Sequence, residues 1–242
     1  MCTVSYIPSK KGGIITSNRD EHVSRRAELS LKERVLNGHK VVFPQDAVAG
    51  GIWFAINERG SFNVLLNGAF SNHKRTPPYA KSRGRIVLEV TAQRDTIAYL
   101  KLLSLKDIEP FTLIVCNLPE LWEFRWDGHS KHFAQKESTT SHIWSSVTLY
   151  NSKAVAVREA LFTKFIQATR EATSEKIIGF HRNNYGDSEN RFIIDRNNGL
   201  KTLSITQAVL TTNKLTLEHN DLSSKKSVRV ALDTIYSLAP TQ

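Results

Sequence analysis

Apolar and polar positions along the chain predict strands at both ends and helices in separate regions between them. Short apolar runs that end at turn residues are typical of strands, which bury either alternate residues or every residue. The predicted strands cover residues 2–7, 13–17, 50–56, 61–66, 111–116, 122–126, 130–135, 142–146, 203–210, 214–219 and 226–233. A polar, irregular stretch is predicted over residues 18–44, and a loop over residues 71–83.

Three segments have the apolar spacing of amphipathic helices. The first covers residues 84–105 and is broken near residues 93–95, which separates two short helices. Residues 152–169 form the longest predicted helix, and a further helical stretch follows near residues 173–180. Strands and helices are therefore segregated along the chain and do not alternate one by one. This order favours an α+β layered fold with largely antiparallel sheets.

The composition describes an ordinary globular protein. Of 242 residues, 40% are apolar and 23% are charged, which suits a sizeable core. No segment resembles a linker, so we expect a single domain over residues 1–242. No apolar stretch approaches the roughly 20 residues that span a bilayer, and the N-terminus lacks the apolar segment of a signal peptide. Because Cys2 and Cys116 are the only cysteines, a reducing cytoplasm fits best.

The formal net charge of +10 indicates attraction to an anion. That anion could be nucleic acid, an anionic membrane surface, or a small molecule with carboxylates or phosphates. The sequence contains no zinc-finger or RNP motif and no stripe of interleaved cations and aromatic residues, so nucleic acid is not expected. Charge alone selects no partner.

The first residues suggest a nucleophile. Cys2 is small enough for Met1 to be trimmed, and a terminal cysteine joins a thiol to an α-amine of pKa about 8. N-terminal-nucleophile hydrolases use this pair as nucleophile and base. Asn18-Arg19-Asp20-Glu21 follows the second predicted strand, and a hairpin would bring it beside Cys2. There a carboxylate can orient the amine while a guanidinium favours the thiolate. On position alone, Cys2 is better interpreted as a small buried residue, and the Asn18-Arg19-Asp20-Glu21 segment is what favours the nucleophile.

These residues resemble the signature of the NRDE family, which is also called the transport and Golgi organisation protein 2 family. The resemblance is specific over residues 1–105 and approximate beyond them. It implies an N-terminal-nucleophile hydrolase fold, a four-layer αββα sandwich, which agrees with the predicted order of elements. The matching segments are Met1-Cys2, Asn18-Arg19-Asp20-Glu21, Gly50-Gly51-Ile52-Trp53, Asn57-Glu58-Arg59-Gly60, Asn67 and Ser82-Arg83-Gly84.

The chain is also similar to choloylglycine hydrolases and penicillin V acylases, and this similarity implies catalytic roles. By it, Cys2 is the nucleophile, its α-amine is the base, Asp20 orients the amine and Asn67 donates to an oxyanion. Ser17 stands where those acylases have an arginine. Their later Ser-Asn pair appears here as Ser-Ser, and their late arginine has no clear counterpart near residues 201–203.

The family resemblance further implies haem trafficking: transient binding of haem in the cytoplasm and its delivery to haem-accepting proteins. Haem would be a transported ligand, with no cofactor required and no metal site of the protein's own. Basic residues would meet its propionates and aromatic rings its plane. The residues predicted to bind the ligand are Asn18, Arg19, Trp53, Arg83 and Arg85.

The alternative is an enzyme. The terminal cysteine would hydrolyse a linear amide or a thioester such as an acyl-CoA, another anionic small molecule that suits a basic protein. A hydrolase requires a free Cys2 amine, whereas a carrier tolerates Met1. The sequence leaves open which of the two activities the protein has.

Overall fold

The computed structural model describes residues 3–10, 12–184 and 191–235. Its strands are β1 (Thr3–Ser9), β2 (Gly12–His22), β3 (Lys32–Leu36), β4 (His39–Phe43), β5 (Phe54–Asn57), β6 (Phe62–Asn67), β7 (Phe111–Asn117), β8 (Glu120–Trp126), β9 (Lys131–Lys136), β10 (His142–Ser145), β11 (Leu200–Leu210), β12 (Lys214–Asp221) and β13 (Lys226–Asp233). Its helices are α1 (Arg83–Thr91), α2 (Thr96–Leu102), α3 (Ser152–Ala168) and α4 (Ser174–His181).

The strands form two antiparallel sheets. The first has the order β10-β1-β2-β11-β12-β13, and the second has the order β3-β4-β5-β6-β7-β8-β9. In the first sheet, Thr3 on β1 pairs with Asn18 on β2 and with Ser145 on β10. Strand β2 continues past this point to His22 and pairs with β11 from Gly13 to His22. The longest pairing in the molecule therefore supports the segment that follows Asn18.

One apolar core joins the two sheets, and helices cover them. Helix α1 packs against β5 and β6, α4 packs against β2 and β11, and α3 lies beside β10. The layers confirm the predicted α+β fold of the αββα type. None of the helices in the described part of the chain has the length and apolar character needed to cross a membrane. The core joining the sheets includes Val4, Tyr6, Ile15, Phe54, Val64, Leu113, Leu215 and Leu217.

Strand β2 is buried on both faces, and its alternation decides which layer each side chain meets. Ile15 belongs to the core between the sheets, whereas Ile14 packs with α3 and α4. In the same alternation Arg19 contacts the second sheet, while Asn18 and Asp20 contact the helical layer and its connections. Consecutive residues of one motif therefore face two different environments.

Two predictions about local structure were wrong. Asn18 to Glu21 lie inside β2 and not after it, because β11 pairs with β2 beyond the start of β1. Residues 32–43, predicted to be irregular, form the hairpin of β3 and β4. Strand β3 is an edge strand whose side chains are mostly exposed, so it carries no alternation of apolar residues.

Candidate active site and cationic cavity

The predicted nucleophile, Cys2, lies outside the described residues. The described chain begins at Thr3, which is buried and held between β2 and β10 by its pairing with Asn18 and Ser145. The predicted partners of Cys2 can therefore be placed relative to the start of β1. Two groups of polar residues surround this point, one towards the helices and one between the sheets.

The first group is centred on Asn18 and His181, both fully buried. Asn18 Nδ2 donates to the backbone oxygens of His181, at 3.0 Å, and Phe192, at 2.8 Å. His181 Nδ1 lies 2.5 Å from Asn18 Oδ1, and its Nε2 lies 2.7 Å from Ser5 Oγ. Burial and the nearby charge of Arg158 lower the pKa of His181 to about 3. The neutral ring therefore donates to Asn18 and accepts from Ser5.

Asp20 lies one step further along β2 on the same face. Its Oδ2 accepts a 2.5 Å hydrogen bond from the hydroxyl of Tyr150, and its Oδ1 accepts one of 2.5 Å from Thr202. Thr202 stands where the register between β2 and β11 shifts, before Ser204. The carboxylate is thus held from two sides, by the connection before α3 and by β11.

Arg158 brings a guanidinium to the start of β1 from helix α3. It is buried, donates to the backbone oxygen of Arg191 at 2.6 Å and hydrogen-bonds the hydroxyl of Thr3. Its guanidinium also lies 3.5 Å from the centre of the Tyr150 ring. An arginine is therefore present on this side of the site, and it comes from a helix and not from a late strand.

A cavity of about 410 Å³ lies on the other side of β2. Its described lining contains five cationic side chains against three carboxylates. Three of the predicted ligand-binding residues, Arg19, Trp53 and Arg83, line it, and so does Asn67. The cationic residues are Arg19, Arg25, Arg75, Lys81 and Arg83, and the acidic ones are Glu21, Asp46 and Glu109.

Asp46 anchors the cations on one wall of this cavity. Its carboxylate accepts from Arg19 at 2.6 Å and from Arg25 at 3.0 Å. Arg19 also donates to the backbone oxygen of Arg25 at 2.7 Å and lies 4.5 Å from the centre of the Trp53 ring. Arg25 is further paired with Glu21 at 2.9 Å. Two guanidinium groups are therefore matched by two carboxylates.

Glu109 anchors a second group of cations. It lies 3.2 Å from His73, 3.3 Å from Arg75 and 3.2 Å from Arg83, which also donates to the backbone oxygen of Pro110. Burial lowers the pKa of Arg83, although Glu109 counteracts this shift. Here two guanidinium groups share one carboxylate, so the group carries excess positive charge.

Gly84 lets Arg83 enter the cavity. A Cβ at Gly84 would lie 2.5 Å from the backbone nitrogen of Ile52, so α1 can begin against this segment only with glycine there. Arg85, two residues after Arg83, does not line the cationic cavity. It lies in a separate groove with Arg34 and residues of α1.

Asn67 ends β6 at the edge of the cavity. Its backbone oxygen accepts a 2.9 Å hydrogen bond from Ser146, the residue after the one that pairs with Thr3. Gly68 follows with φ 79°, and a Cβ there would lie 2.7 Å from a methyl group of Val147. Close packing on the connection after β10 therefore fixes Asn67 near the start of β1.

Comparison with known proteins identifies the family of this chain. The sequence model of the Transport and Golgi organisation 2 family matches residues 1–218. The chain belongs to this family. None of the curated proteins is detectably similar to it in sequence.

Solved structures share the fold of this family member. A single-residue variant of conjugated bile acid hydrolase from Clostridium perfringens aligns with a TM-score of 0.63 at 9% identity, covering 99% of this chain and 98% of that one. The Caenorhabditis elegans orthologue of N-acylethanolamine-hydrolyzing acid amidase aligns with a TM-score of 0.58 at 11% identity, covering 86% and 92%. At such identities the likeness shows the N-terminal-nucleophile hydrolase fold and nothing about activity.

Several residues of both groups were not predicted from the sequence of this family member. Asp46 and Glu109 belong to no sequence motif, and their role becomes visible only from the arginines with which they form ion pairs in the structure. Arg158 did leave a signal, because it falls between Ala154 and Phe162 on the buried face of an amphipathic helix. A charged residue at such a position needs buried partners, and therefore marks a polar site.

Proposed function

We propose that this protein binds a carboxylate-bearing ligand in the cationic cavity, and that the ligand is haem in transit between cytoplasmic proteins. The observation that supports the proposal is the group around Glu109. A single carboxylate there serves Arg75 and Arg83, and Arg83 is largely buried. Because the buried Glu109 is already paired with Arg83, the exposed Arg75 adds a net positive charge at the mouth of the cavity, and that charge would attract an anionic ligand.

Family membership supports haem as that ligand, because the family is associated with haem trafficking. Its two propionates would meet the guanidinium groups, and Tyr79 offers aromatic surface in the lining. In this proposal the protein holds haem through its carboxylates and passes it to haem-accepting proteins.

The test compares two arginines of helix α1. We expect Arg83→Ala to weaken hemin binding roughly tenfold or more, because a hydrogen-bonded charge pair is lost. Arg85→Ala is the matched control, since Arg85 lies in another groove and should leave the affinity unchanged. Hemin titration followed by absorbance measures both, with thermal melting to check folding. Equal affinity of the two variants would contradict the role of the cavity.

A second candidate function is hydrolysis, and the setting of Asp20 favours it. This carboxylate is buried, receives hydrogen bonds from Tyr150 and Thr202, and lies next to the start of β1. In the proposed reaction the α-amine of Cys2 takes the thiol proton and the thiolate attacks an amide or thioester carbonyl. The Asn67 amide donates to the oxyanion, the leaving group departs with a proton, and water then hydrolyses the acyl-enzyme.

Mass spectrometry and a pair of cysteine variants test this second function. The intact mass shows whether Met1 is removed, and one equivalent of iodoacetamide shows whether one thiol reacts rapidly. Cys2→Ala should abolish turnover of an acyl-CoA or an amide. Cys116→Ala should retain it, because that thiol is fully buried and burial raises its pKa well above the usual value. A retained Met1, or full activity in Cys2→Ala, would exclude the mechanism.

A further inference from the structure

Among the buried polar atoms that have no hydrogen-bond partner in the described structure, three lie together behind the Arg19 wall of the cationic cavity. They are Nε1 of Trp53, Oγ of Ser204 and Nε2 of His219. The three residues are 3%, 1% and 0% exposed. Each unsatisfied polar atom of this kind costs free energy comparable to a lost hydrogen bond, so three in one region require an explanation.

The three atoms belong to neighbouring side chains. The ring centres of Trp53 and His219 are 6.0 Å apart, and the guanidinium of Arg19 lies 4.5 Å from the centre of the Trp53 ring. Ser204 pairs with Arg19 across the β2–β11 ladder, and Thr206, next on the same face, lies 2.8 Å from His219 Nδ1. The cluster therefore adjoins the wall formed by Arg19 and Trp53.

The protonation of His219 decides what the cluster can bind. Burial lowers the pKa of this ring to about 4, so it is neutral at physiological pH. When the Thr206 hydroxyl donates to Nδ1, the ring proton resides on Nε2. Trp53 Nε1 is a donor in every state. Two N–H groups then face an environment without an acceptor among the residues that the structure describes.

We propose that Trp53 and His219 form a second anion subsite, which receives a carboxylate of the ligand bound in the cationic cavity. The inference rests on the proposed binding function. Hydrogen bonds of about 2.9 Å from both rings would let one carboxylate bridge a ring separation of this size. Arg19, stacked on Trp53, adds a cation beside the subsite.

The subsite restricts which ligands the cavity can bind. The group around Glu109 holds one anionic group by excess charge, and the subsite holds a second by two N–H donors. The cavity therefore selects a ligand with two separate carboxylates over one with a single anionic group. Because Arg19 is bound to Asp46 and to the backbone of Arg25, its guanidinium must shift along the Trp53 face to admit the second carboxylate.

The experiment compares hemin with its dimethyl ester, in which neither propionate carries a charge. Trp53→Phe keeps an aromatic ring beneath Arg19 and removes the N–H. His219→Asn keeps an atom that Thr206 can bond and removes Nε2. We expect each variant to bind hemin roughly tenfold more weakly than the wild type and to bind the ester equally well.

Trp122→Phe is the matched control. Its indole nitrogen already donates to Glu120 at 3.1 Å, on strand β8, which contributes no residue to the described lining of the cavity. This variant should bind both probes as the wild type does. Thermal melting checks that each variant folds. Trp53 precedes β5 and His219 lies on β12, so either variant alone decides the test.

The outcomes separate the two proposals. Unchanged hemin affinity in Trp53→Phe and His219→Asn would overturn the subsite and assign the unpaired atoms to internal water, while leaving the binding function standing. Equal weakening for hemin and for the ester would also overturn it, because the effect would then be one of packing. A wild-type protein that fails to bind hemin would overturn the proposed function and the subsite together.

Discussion

The two faces of strand β2 carry polar residues of the same motif, but they differ in how completely the surrounding polar groups are hydrogen-bonded. Towards the helices, Asn18 and Asp20 are buried and their side chains are paired with partners from α4, β11 and the connection before α3. Between the sheets, Arg19 borders a cavity with excess positive charge and two rings that each have a nitrogen without a partner among the described residues.

This difference separates a scaffold from the proposed binding surface. A fully paired buried network fixes geometry and loses stability when any member is removed. A surface with unpaired donors gives up stability in the free protein and recovers it when a ligand arrives. The first face therefore holds the start of β1 in place, and the second is suited to recognition.

The largest effect is expected from Asn18→Ala. The substitution leaves two backbone oxygens and His181 Nδ1 without their partner. At a cost of about 1–3 kcal/mol for each orphaned group, we expect a loss of at least about 3 kcal/mol in the free energy of unfolding. Urea unfolding measures it, with Asn72→Ala in an exposed loop as the control. A loss of less than about 1 kcal/mol would show that the network is not the scaffold.

The same contrast explains which parts of the fold could be predicted from the sequence. Local periodicity predicted α1 to α4 and the β1–β2 hairpin, because each has its own apolar pattern. It could not predict that Asn18 to Glu21 continue β2, since the reason is pairing with β11 far along the chain. It also missed the polar edge strand β3, whose exposed side chains leave no alternation.

Only those site residues that belong to sequence motifs could be predicted. Arg19, Trp53, Asn67 and Arg83 were singled out in separate segments, and the fold brings them to one cavity. Arg85 was grouped with Arg83 by proximity in sequence, yet the turn of helix α1 points it to another groove. The partners that position these residues come from distant elements without a local pattern of their own.

A second prediction concerns pH, because each face contains one buried neutral histidine. The pKa of His181 is about 3 and that of His219 is about 4, while both titrate near 6.5 when unfolded. Below that value the unfolded chain binds protons that the folded protein excludes, so stability falls as pH decreases towards the folded pKa values. Each histidine should cost about 2 kcal/mol between pH 6.5 and about 5.

Urea unfolding at about pH 7.5 and about pH 5 measures this loss in the wild type and in His219→Asn. Burial is the first cause for both rings. Arg158 also acts on His181, while Arg19 and Asp221 act on His219 with opposite signs. The variant should lose less stability on acidification than the wild type. An identical loss in both proteins would mean that the pKa of His219 is the same in the folded and the unfolded protein.

A smaller effect is expected from Tyr150→Phe. The change removes the hydroxyl that donates to Asp20 and leaves the Thr202 hydrogen bond intact. Loss of one hydrogen bond to a carboxylate should cost about 1.5–3 kcal/mol of unfolding free energy. Tyr79→Phe provides the control, because its hydroxyl accepts from an exposed backbone N–H that water can satisfy. Equal losses in the two variants would show that the pairing of Asp20 adds nothing to the scaffold.

The smallest effect gives the most direct comparison of the two faces. Ser5 and Ser204 are both buried on strands of the first sheet, but Ser5 Oγ bonds His181 Nε2 and Ser204 Oγ has no partner in the described structure. Ser5→Ala should therefore cost about 1–2 kcal/mol, since it leaves an imidazole nitrogen unpaired. Ser204→Ala breaks no hydrogen bond and should leave the stability unchanged or raise it by up to about 1 kcal/mol. If urea unfolding shows a loss of stability for Ser5→Ala and a gain for Ser204→Ala, the polar groups are hydrogen-bonded on the first face and not on the second. Equal losses would mean that internal water already hydrogen-bonds the Ser204 hydroxyl.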